Sequence, residues 1–329
     1  MKIHLVVFIF LLLFANSCTE NSNPIFPTNT GNSTILFSSN KKLAVINADG
    51  SNYQIIPIES NTVTVANLSS DASKVVYGSV DTTYQQIILY NLRNNETVKI
   101  TDDNLFHDSP VISPDNNSVL FLTKFNWTYH LYLKNIVNGN VKLLNNSLNA
   151  YDPTFSSDGS KIACWGNNEG DSVGVVIMNI DGSNPKFIGK GYYPEFSPDG
   201  KKILYQNPIP PYDEGLYIMN IDGTDRNFIS YIPYQTKPRF SPDGSKILFS
   251  KFTDNFDIYL INIDGSNLIN LTNSSEGETQ PEFTTDGSKI VFVQYDSVSK
   301  INKLCSMNTD GTNKKVVFED SSIYGIKIF

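Results

Sequence analysis

Short apolar runs recur along most of the chain and are separated by polar turns. The clearest lie at 202–205 (KILY), 246–249 (KILF) and 289–292 (KIVF), with related runs at 216–219 and 258–261. Their β-branched and aromatic residues favour strands. Because the apolar residues are continuous rather than alternating, both faces of these strands are expected to be buried. No segment shows the 3.6-residue period of a helix, so the pattern predicts an all-β protein.

Two turn motifs alternate with these runs. The first is Ser-Pro-Asp-Gly, clearest at 197–200 and 241–244. The aspartates of its full and weaker copies lie at 71, 115, 158, 199, 243 and 286, which are 41 to 44 residues apart. The second is Asn-x-Asp-Gly, found at 47–50, 179–182, 220–223, 262–265 and 308–311, with degenerate copies that begin at Asn91 and Asn135. Pro presets φ, Asp bonds to nearby backbone and Gly adopts a positive φ, so both motifs predict tight turns.

Four short strands in each repeat of about 43 residues are typical of a β-propeller blade. The strings x-P-x-F-S-P-D-G-x-K-I-x-F and I-Y-x-M-N-x-D-G-S/T-N resemble the WD40-like (PD40) repeats of TolB-type β-propellers, and the resemblance covers about 34–329. It implies a single seven-bladed propeller of four-stranded antiparallel blades. TolB itself also carries an N-terminal α/β domain, whereas here 18–33 leads directly to the first predicted strand. We therefore expect only the binding of a partner peptide across a propeller face to carry over.

The unequal numbers of the two motifs predict how the ring closes. The second motif has seven copies and the first has six, because the chain enters at the second strand of a blade near Ile35. The chain ends with an apolar run at 323–329 that no further turn follows. We predict that this last strand is the inner strand of blade one. Such a clasp removes free sheet edges, which invite aggregation.

The first 17 residues are predicted to be a signal segment. Lys2 precedes an apolar run at 5–15, and its 11 residues are too few to span a hydrocarbon core of about 30 Å. Ser17-Cys18 resembles the cleavage site of a bacterial lipoprotein, although Ala15 and Asn16 depart from that pattern. The resemblance implies lipidation of Cys18, a flexible tether over 18–33 and a place in the bacterial cell envelope, at the outer membrane. The alternative is an ordinary secretory signal followed by an incidental cysteine.

Composition excludes several classes of protein. The net charge of −8 argues against nucleic-acid binding, which relies on clustered Lys and Arg. Three cysteines and three histidines argue against a disulfide scaffold and a His-rich metal site. Cys164 and Cys305 are predicted to be small buried residues in non-adjacent blades, and no disulfide is expected between them.

The sequence also argues against catalysis and cofactors. The Asp-Gly turns lack the other carboxylates of a calcium loop, and turns repeated in every blade are structural rather than catalytic. Prolyl-oligopeptidase-type enzymes share such propellers, but the chain has no Gly-x-Ser-x-Gly motif. Oligogalacturonate lyases hold a metal with several histidines, whereas only His107 and His130 follow the signal segment. Both are predicted in loops of blade three, and metal binding by this pair stays an alternative.

Aromatic residues are concentrated in the loops predicted on the face opposite the two turn motifs. The candidates for partner contact are Phe106, His107, Phe125, Trp127, Tyr129, Tyr151, Tyr192, Tyr193, Tyr212, Tyr234 and Phe256. The candidates for the lining of the central channel, predicted to be mostly acidic, are Asp108, Asp152, Glu195, Arg239 and Glu282. Exposed aromatic residues mark protein-binding or sugar-binding faces. We therefore predict a monomeric, non-enzymatic propeller that binds a protein or peptide, with glycan binding, or less readily glycan cleavage, as the alternative.

Overall fold

The computed structural model describes residues 33–58, 63–80, 84–145, 148–167, 173–207, 215–232 and 237–328. These residues form 28 strands in seven four-stranded antiparallel sheets. The predicted seven-bladed propeller is confirmed. The predicted signal segment and Cys18 lie outside the described residues. No helix among the described residues is long and apolar enough to cross a bilayer.

The strands follow the repeat order from the inner to the outer edge of each blade. Blade two comprises β4 (Val63–Leu68), β5 (Lys74–Val80), β6 (Gln85–Asn91) and β7 (Thr97–Lys99). Blade three comprises β8 (Phe106–Ile112), β9 (Ser118–Phe125), β10 (Thr128–Asn135) and β11 (Val141–Asn145). Blade four comprises β12 (Asn149–Phe155), β13 (Lys161–Asn167), β14 (Gly174–Asn179) and β15 (Lys186–Lys190). Blade five comprises β16 (Tyr192–Phe196), β17 (Lys202–Asn207), β18 (Gly215–Asn220) and β19 (Asn227–Ser230). Blade six comprises β20 (Arg239–Phe240), β21 (Lys246–Phe252), β22 (Phe256–Asn262) and β23 (Ile269–Asn270). Blade seven comprises β24 (Gly277–Phe283), β25 (Lys289–Asp296), β26 (Ile301–Asn308) and β27 (Lys315–Asp320).

Blade one joins the two ends of the described chain. It comprises β1 (Thr34–Ser39), β2 (Lys42–Asn47), β3 (Gln54–Ile55) and, as its inner strand, β28 (Ile323–Ile328). Strand β28 pairs antiparallel with β1, so that Ile35 lies opposite Ile328 and Leu36 lies opposite Lys327. Ile323 and Ile326 are buried in the same core cluster as Ile35 and Phe37. The predicted clasp is confirmed, and apolar burial as well as backbone pairing holds it closed.

The two turn motifs lie together on one face of the ring, which we call the turn face. In blade five, Ser197 Oγ donates to Asp199 Oδ1 at 2.6 Å, and Lys202 Nζ reaches from the first turn to Asn220 Oδ1 of the second at 3.2 Å. Blade four repeats the first turn, where hydrogen bonds from Ser156 and Ser160 lower the pKa of Asp158 to about 2. The opposite face, which we call the loop face, carries the hairpins between second and third strands and the connections between blades.

The second and third strands form the apolar layers between neighbouring blades. Leu248, Ile258, Phe292 and Cys305 share one such layer between blades six and seven. Cys164 is likewise fully buried in blade four, and burial raises the pKa of its thiol to about 12. The predicted burial of both cysteines is confirmed, and both are free.

Candidate functional site

A bulge in the inner strands places side chains at the loop-face end of the channel. The register shifts in β8, β12, β16 and β24, and each shift contains a residue with positive φ that precedes a proline. These residues are Ser109, Asp152, Tyr193 and Gln280, with φ between 43° and 53°. Residues before proline normally avoid helical φ and ψ, and a positive φ is costly for residues other than Gly. Because this conformation recurs in several blades, it belongs to the blade architecture, and it sets the level of the channel at which the neighbouring side chains project.

Aromatic side chains of blades three to five form one continuous cluster on the loop-face side. The ring centroids of Tyr129 and Tyr151 are 5.4 Å apart, and Tyr151 stacks on Trp165 at 4.4 Å. Trp165 then meets Tyr192 edge-on at 4.9 Å and Tyr193 at 6.0 Å. We call these residues, together with the hairpin tip that carries Trp127, the aromatic surface. Most of these rings are half-buried because they pack against one another. They therefore form one continuous surface rather than a set of separate side chains.

Trp127 is the most exposed aromatic residue of this surface, with 87% of its area accessible. It lies with Asn126 in the two-residue turn between β9 and β10, and both residues have positive φ (48° and 67°). Turns of this type favour Asn-Gly, because a bulky residue in the left-handed region is strained. Lys124 Nζ lies 4.9 Å from the Trp127 ring centroid and 5.6 Å from that of Tyr129. The fold therefore presents a tryptophan at a position where packing does not require one.

The remaining predicted partner residues divide into three groups. Phe125 is exposed beside Trp127, and Phe106 is half-buried at the start of β8, opposite Lys124. Phe256 pairs with Phe252 in blade six, at 5.2 Å, and stands apart from the aromatic surface among the described residues. Tyr212 and Tyr234 lie outside the described residues.

The structure corrects the prediction for the two histidines. His107 is only 2% exposed, with Nδ1 2.9 Å from Thr123 Oγ1 and Nε2 2.8 Å from Asp103 Oδ1, so it offers no area to a partner. His130 lies within β10 rather than in a loop, on the other side of Thr123 in the sheet. Within the described ranges, no three His, Cys, Asp or Glu residues are grouped so that they could hold a metal ion.

The channel lining is a charge network and is not mostly acidic, which corrects the prediction. Arg239 Nε donates to Glu282 Oε2 and its Nη1 to Glu195 Oε2, both at 2.8 Å, so one side chain joins blades five, six and seven. Lys237 Nζ donates to Asp152 Oδ1 at 2.5 Å, and Lys327 Nζ lies 3.7 Å from Glu282 Oε1. Three cations thus offset the carboxylates.

The channel groups differ in how readily they ionise. Burial raises the pKa of Glu195, despite the attraction of Arg239. Burial has the same effect on Glu282, but Arg239 and Lys327 hold the pKa of Glu282 below its ordinary value. Burial opposes the charge of Arg239, yet Glu282 and Glu195 raise its pKa. Burial also raises the pKa of Asp108, although hydrogen bonds from Ser109 N–H and Gln85 act in the opposite direction.

Two contacts connect the channel with the aromatic surface. Trp165 Nε1 donates to Asp152 Oδ2 at 2.8 Å, and Lys237 Nζ lies 5.6 Å from the ring centroid of Tyr193. The channel itself holds two adjoining cavities of about 370 and 650 Å³ that share Ala66, Lys237, Arg239 and Lys327 in their walls. The loop face thus offers an aromatic wall beside a charged opening.

Sequence reasoning missed Trp165, Lys237 and Lys327 as members of this site. Trp165 lies in β13, and its position opposite Tyr151 in the β12–β13 register places it in the surface. Lys237 directly precedes the inner-strand proline of blade six, the position that Asp152 occupies in blade four. Lys327 belongs to the strand predicted to close blade one as its inner strand. That prediction already implied that one face of β28 borders the channel.

The closed ring and its repeated turns define a seven-bladed propeller with a loop-face channel. The chain belongs to the TolB beta propeller domain family (PD40), whose model matches residues 28–206 and again 166–324. Among the curated proteins, none matches the sequence.

Solved structures show the same fold at low sequence identity. TolB from Acinetobacter baumannii is 20% identical, with a TM-score of 0.57 over 71% of this chain and 62% of that one. A putative TolB from Agrobacterium tumefaciens is 22% identical, with a TM-score of 0.55 over 74% of this chain and 98% of that one. An oligogalacturonate lyase in complex with manganese is 14% identical, with a TM-score of 0.63 over 86% and 83%. Both TolB proteins and enzymes therefore share this architecture, and the chain spans about 62% of the length of the A. baumannii protein.

Proposed function

We propose that the protein is a lipid-anchored, non-catalytic envelope propeller that binds a protein or peptide through its aromatic surface. The observation that carries this proposal is Trp127, a highly exposed tryptophan in a left-handed turn position that glycine would occupy without strain. Tryptophan and tyrosine are enriched among the residues that dominate the energy of protein interfaces. The family membership supports the same class of function, since a TolB-like propeller suggests protein binding in the envelope.

The packing of the aromatic surface favours a protein over a glycan. The Tyr151 and Trp165 rings stack on each other, and Tyr192 and Tyr193 each meet Trp165 in a T-shaped arrangement. Tyr151 and Trp165 each turn one ring face to the other, so this part of the wall has fewer open faces on which a sugar could stack, and Trp127 is the most exposed ring of the surface. A protein interface instead uses the outer edges of such a wall, with Lys124 and Lys237 as polar neighbours.

The chain that follows the proposed anchor enters the propeller on the turn face, opposite the loop face. Ser33 lies on the turn face, where its Oγ is 3.0 Å from Thr285 Oγ1 in the first turn of blade seven. The 15 residues after Cys18, up to Ser33, reach at most about 50 Å when fully extended. A lipid on Cys18 would therefore be joined to the propeller on its turn face, an attachment compatible with an aromatic surface that is open to the envelope space. Metabolic lipid labelling tests the anchor, because Cys18→Ala is expected to abolish the label and persistence of the label would refute it.

Site-specific photo-crosslinking in intact envelopes tests the proposed surface. A photoreactive residue at position 127 is expected to give one dominant protein product, identified by mass spectrometry. Position 298 is the matched control, because Val298 is 91% exposed in the corresponding hairpin of blade seven. Equal products at both positions would contradict the proposal. Glycan-array binding that depends on Trp127, without a protein product, would instead support the glycan alternative.

A further inference from the structure

The larger of the two channel cavities lies where the ring closes. It has a volume of about 650 Å³ and is walled by blades one, two, six and seven. Its apolar wall includes Val63, Ala66, Phe256, Pro281 and Ile326. Cavities that hold small ligands are typically about 300 to 1,000 Å³, mostly apolar, with a few placed polar groups. The size and lining of this cavity are therefore those of a ligand site.

Among the charged side chains in the cavity wall, one cation lies farther from a carboxylate than the other two. Glu282 is the one carboxylate among the described lining residues, whereas Lys237, Arg239 and Lys327 supply three cations. Arg239 has carboxylate oxygens at 2.8 Å from two sides, and Lys237 has Asp152 at 2.5 Å. Lys327 has only a 3.7 Å contact with Glu282, and that carboxylate also accepts a hydrogen bond from Arg239. Lys327 is thus the cation with capacity for a further anion.

A buried hydroxyl in the same wall lacks a hydrogen-bond partner. Ser38 is 4% exposed, and its Oγ has no partner among the described residues. Leu36 lies opposite Lys327 in the β1–β28 register, and Ser38 is two residues further along β1. The β1–β28 pairing has a bulge between these positions, but β1 pairs regularly with β2, so the extra residue lies in β28. Side chains two residues apart in β1 therefore share one face, and Ser38 and Lys327 leave the same face of the blade one sheet. Buried hydroxyls are nearly always bonded, so this one points to a missing partner.

We propose that this cavity binds a monocarboxylate carried on an apolar body, with the carboxylate between Lys327 Nζ and Ser38 Oγ. One weakly compensated ammonium matches one negative charge, whereas a phosphate dianion would need a second free cation. The apolar wall takes the body of the ligand, and Phe256 closes one side. The carboxylate comes either from a free acid or from the C-terminal residue of a polypeptide. This site does not depend on the proposed function of the aromatic surface.

Ligand binding at this site is also expected to change the protonation of Lys327, which can be measured independently of affinity. The charged groups that face it are Glu282 of β24, Arg239 of β20, Glu195 of β16 and Lys237. Burial lowers the pKa of Lys327 to about 8, and Arg239 and Lys237 act in the same direction against Glu282 and Glu195. A bound carboxylate stabilises the ammonium, so binding near pH 8 takes up protons. The heat of binding then depends on the ionisation enthalpy of the buffer.

Isothermal titration of the folded propeller tests the proposal with two matched pairs of probes. The first pair is octanoate and octanamide, and the second is a short leucine-ending peptide with a free or an amidated C-terminus. At least one carboxylate is expected to bind at one site, about tenfold more tightly than its neutral partner. The pair that binds identifies the source of the carboxylate. Lys327→Met is expected to weaken binding about tenfold and Ser38→Ala about threefold.

The controls separate charge from folding. Lys42→Met makes the same substitution at an exposed position of blade one and is expected to leave binding unchanged. Proton uptake is measured on the unmodified protein, so the proposal stays testable if Lys327→Met fails to fold. The proposal is overturned if neither carboxylate binds, if the neutral probes bind equally well, or if binding near pH 8 takes up no protons.

Discussion

Arg239 Nη1 of blade six donates a hydrogen bond to Glu195 Oε2 of blade five at 2.8 Å. This bond joins two blades whose strands belong to separate sheets. The same guanidinium bonds Glu282 of blade seven. Replacing Arg239 with Met leaves two largely buried carboxylates without their cation. We expect the free energy of unfolding to fall by about 3 kcal/mol, measured by chemical denaturation.

A triple variant provides the control for this prediction. Arg239→Met combined with Glu195→Gln and Glu282→Gln removes all three charges, and it is expected to recover most of the lost stability. A single variant as stable as the unmodified protein would show that the network does not join the blades.

The clasp predicts a strong effect of the C-terminal strand on stability. Deleting 324–329 removes most of β28 and exposes the edge of β1, so the melting temperature is expected to fall sharply and aggregation to increase. The milder Ile326→Ala is expected to lower the free energy of unfolding by about 2 to 4 kcal/mol, because Ile326 is buried in the blade one core. Val298→Ala, at an exposed tip, is the control. An unchanged melting curve after the deletion would refute the clasp.

The repeated turns predict a loss of stability in acid. Hydrogen bonds from serine hydroxyls and backbone N–H groups lower the pKa of Asp158 to about 2 and also lower the pKa values of Asp199 and Asp243. In the unfolded chain an aspartate has a pKa of about 3.9. Because the folded pKa values are the lower ones, this stabilisation is present above about pH 4 and is lost as the pH falls towards 2.

Thermal unfolding between about pH 6 and pH 2 measures this effect. The melting temperature is expected to fall mainly below pH 4, and Asp158→Asn is expected to make the fall shallower. A melting temperature that does not change across this range would contradict the role of the turns.

The fold was predictable because its information is local and repeated. Each turn motif fixes a chain reversal, each apolar run between turns has the length of a strand, and the unequal motif counts imply the pairing of β28 with β1. The tight packing of apolar faces then follows from the blade repeat.

The site was only partly predictable because it depends on distances between blades. Glu195, Arg239 and Glu282 occupy the same repeat position, which placed them together in the channel. Their pairing depends on how far each side chain reaches across blade boundaries, which no repeat encodes. His107 shows the same limit, since its predicted position in a loop of blade three did not reveal its burial beneath Asp103.

The most direct test of the proposed surface is the affinity of the crosslinked partner for propellers that differ at position 127. Trp127→Gly removes the exposed ring and relieves a left-handed turn, so the melting temperature is expected to stay equal or to rise. If Trp127 is a hot spot of the interface, the dissociation constant is expected to rise about thirtyfold, whereas Val298→Ala leaves it within about twofold. An unchanged affinity of Trp127→Gly for the partner would contradict the account.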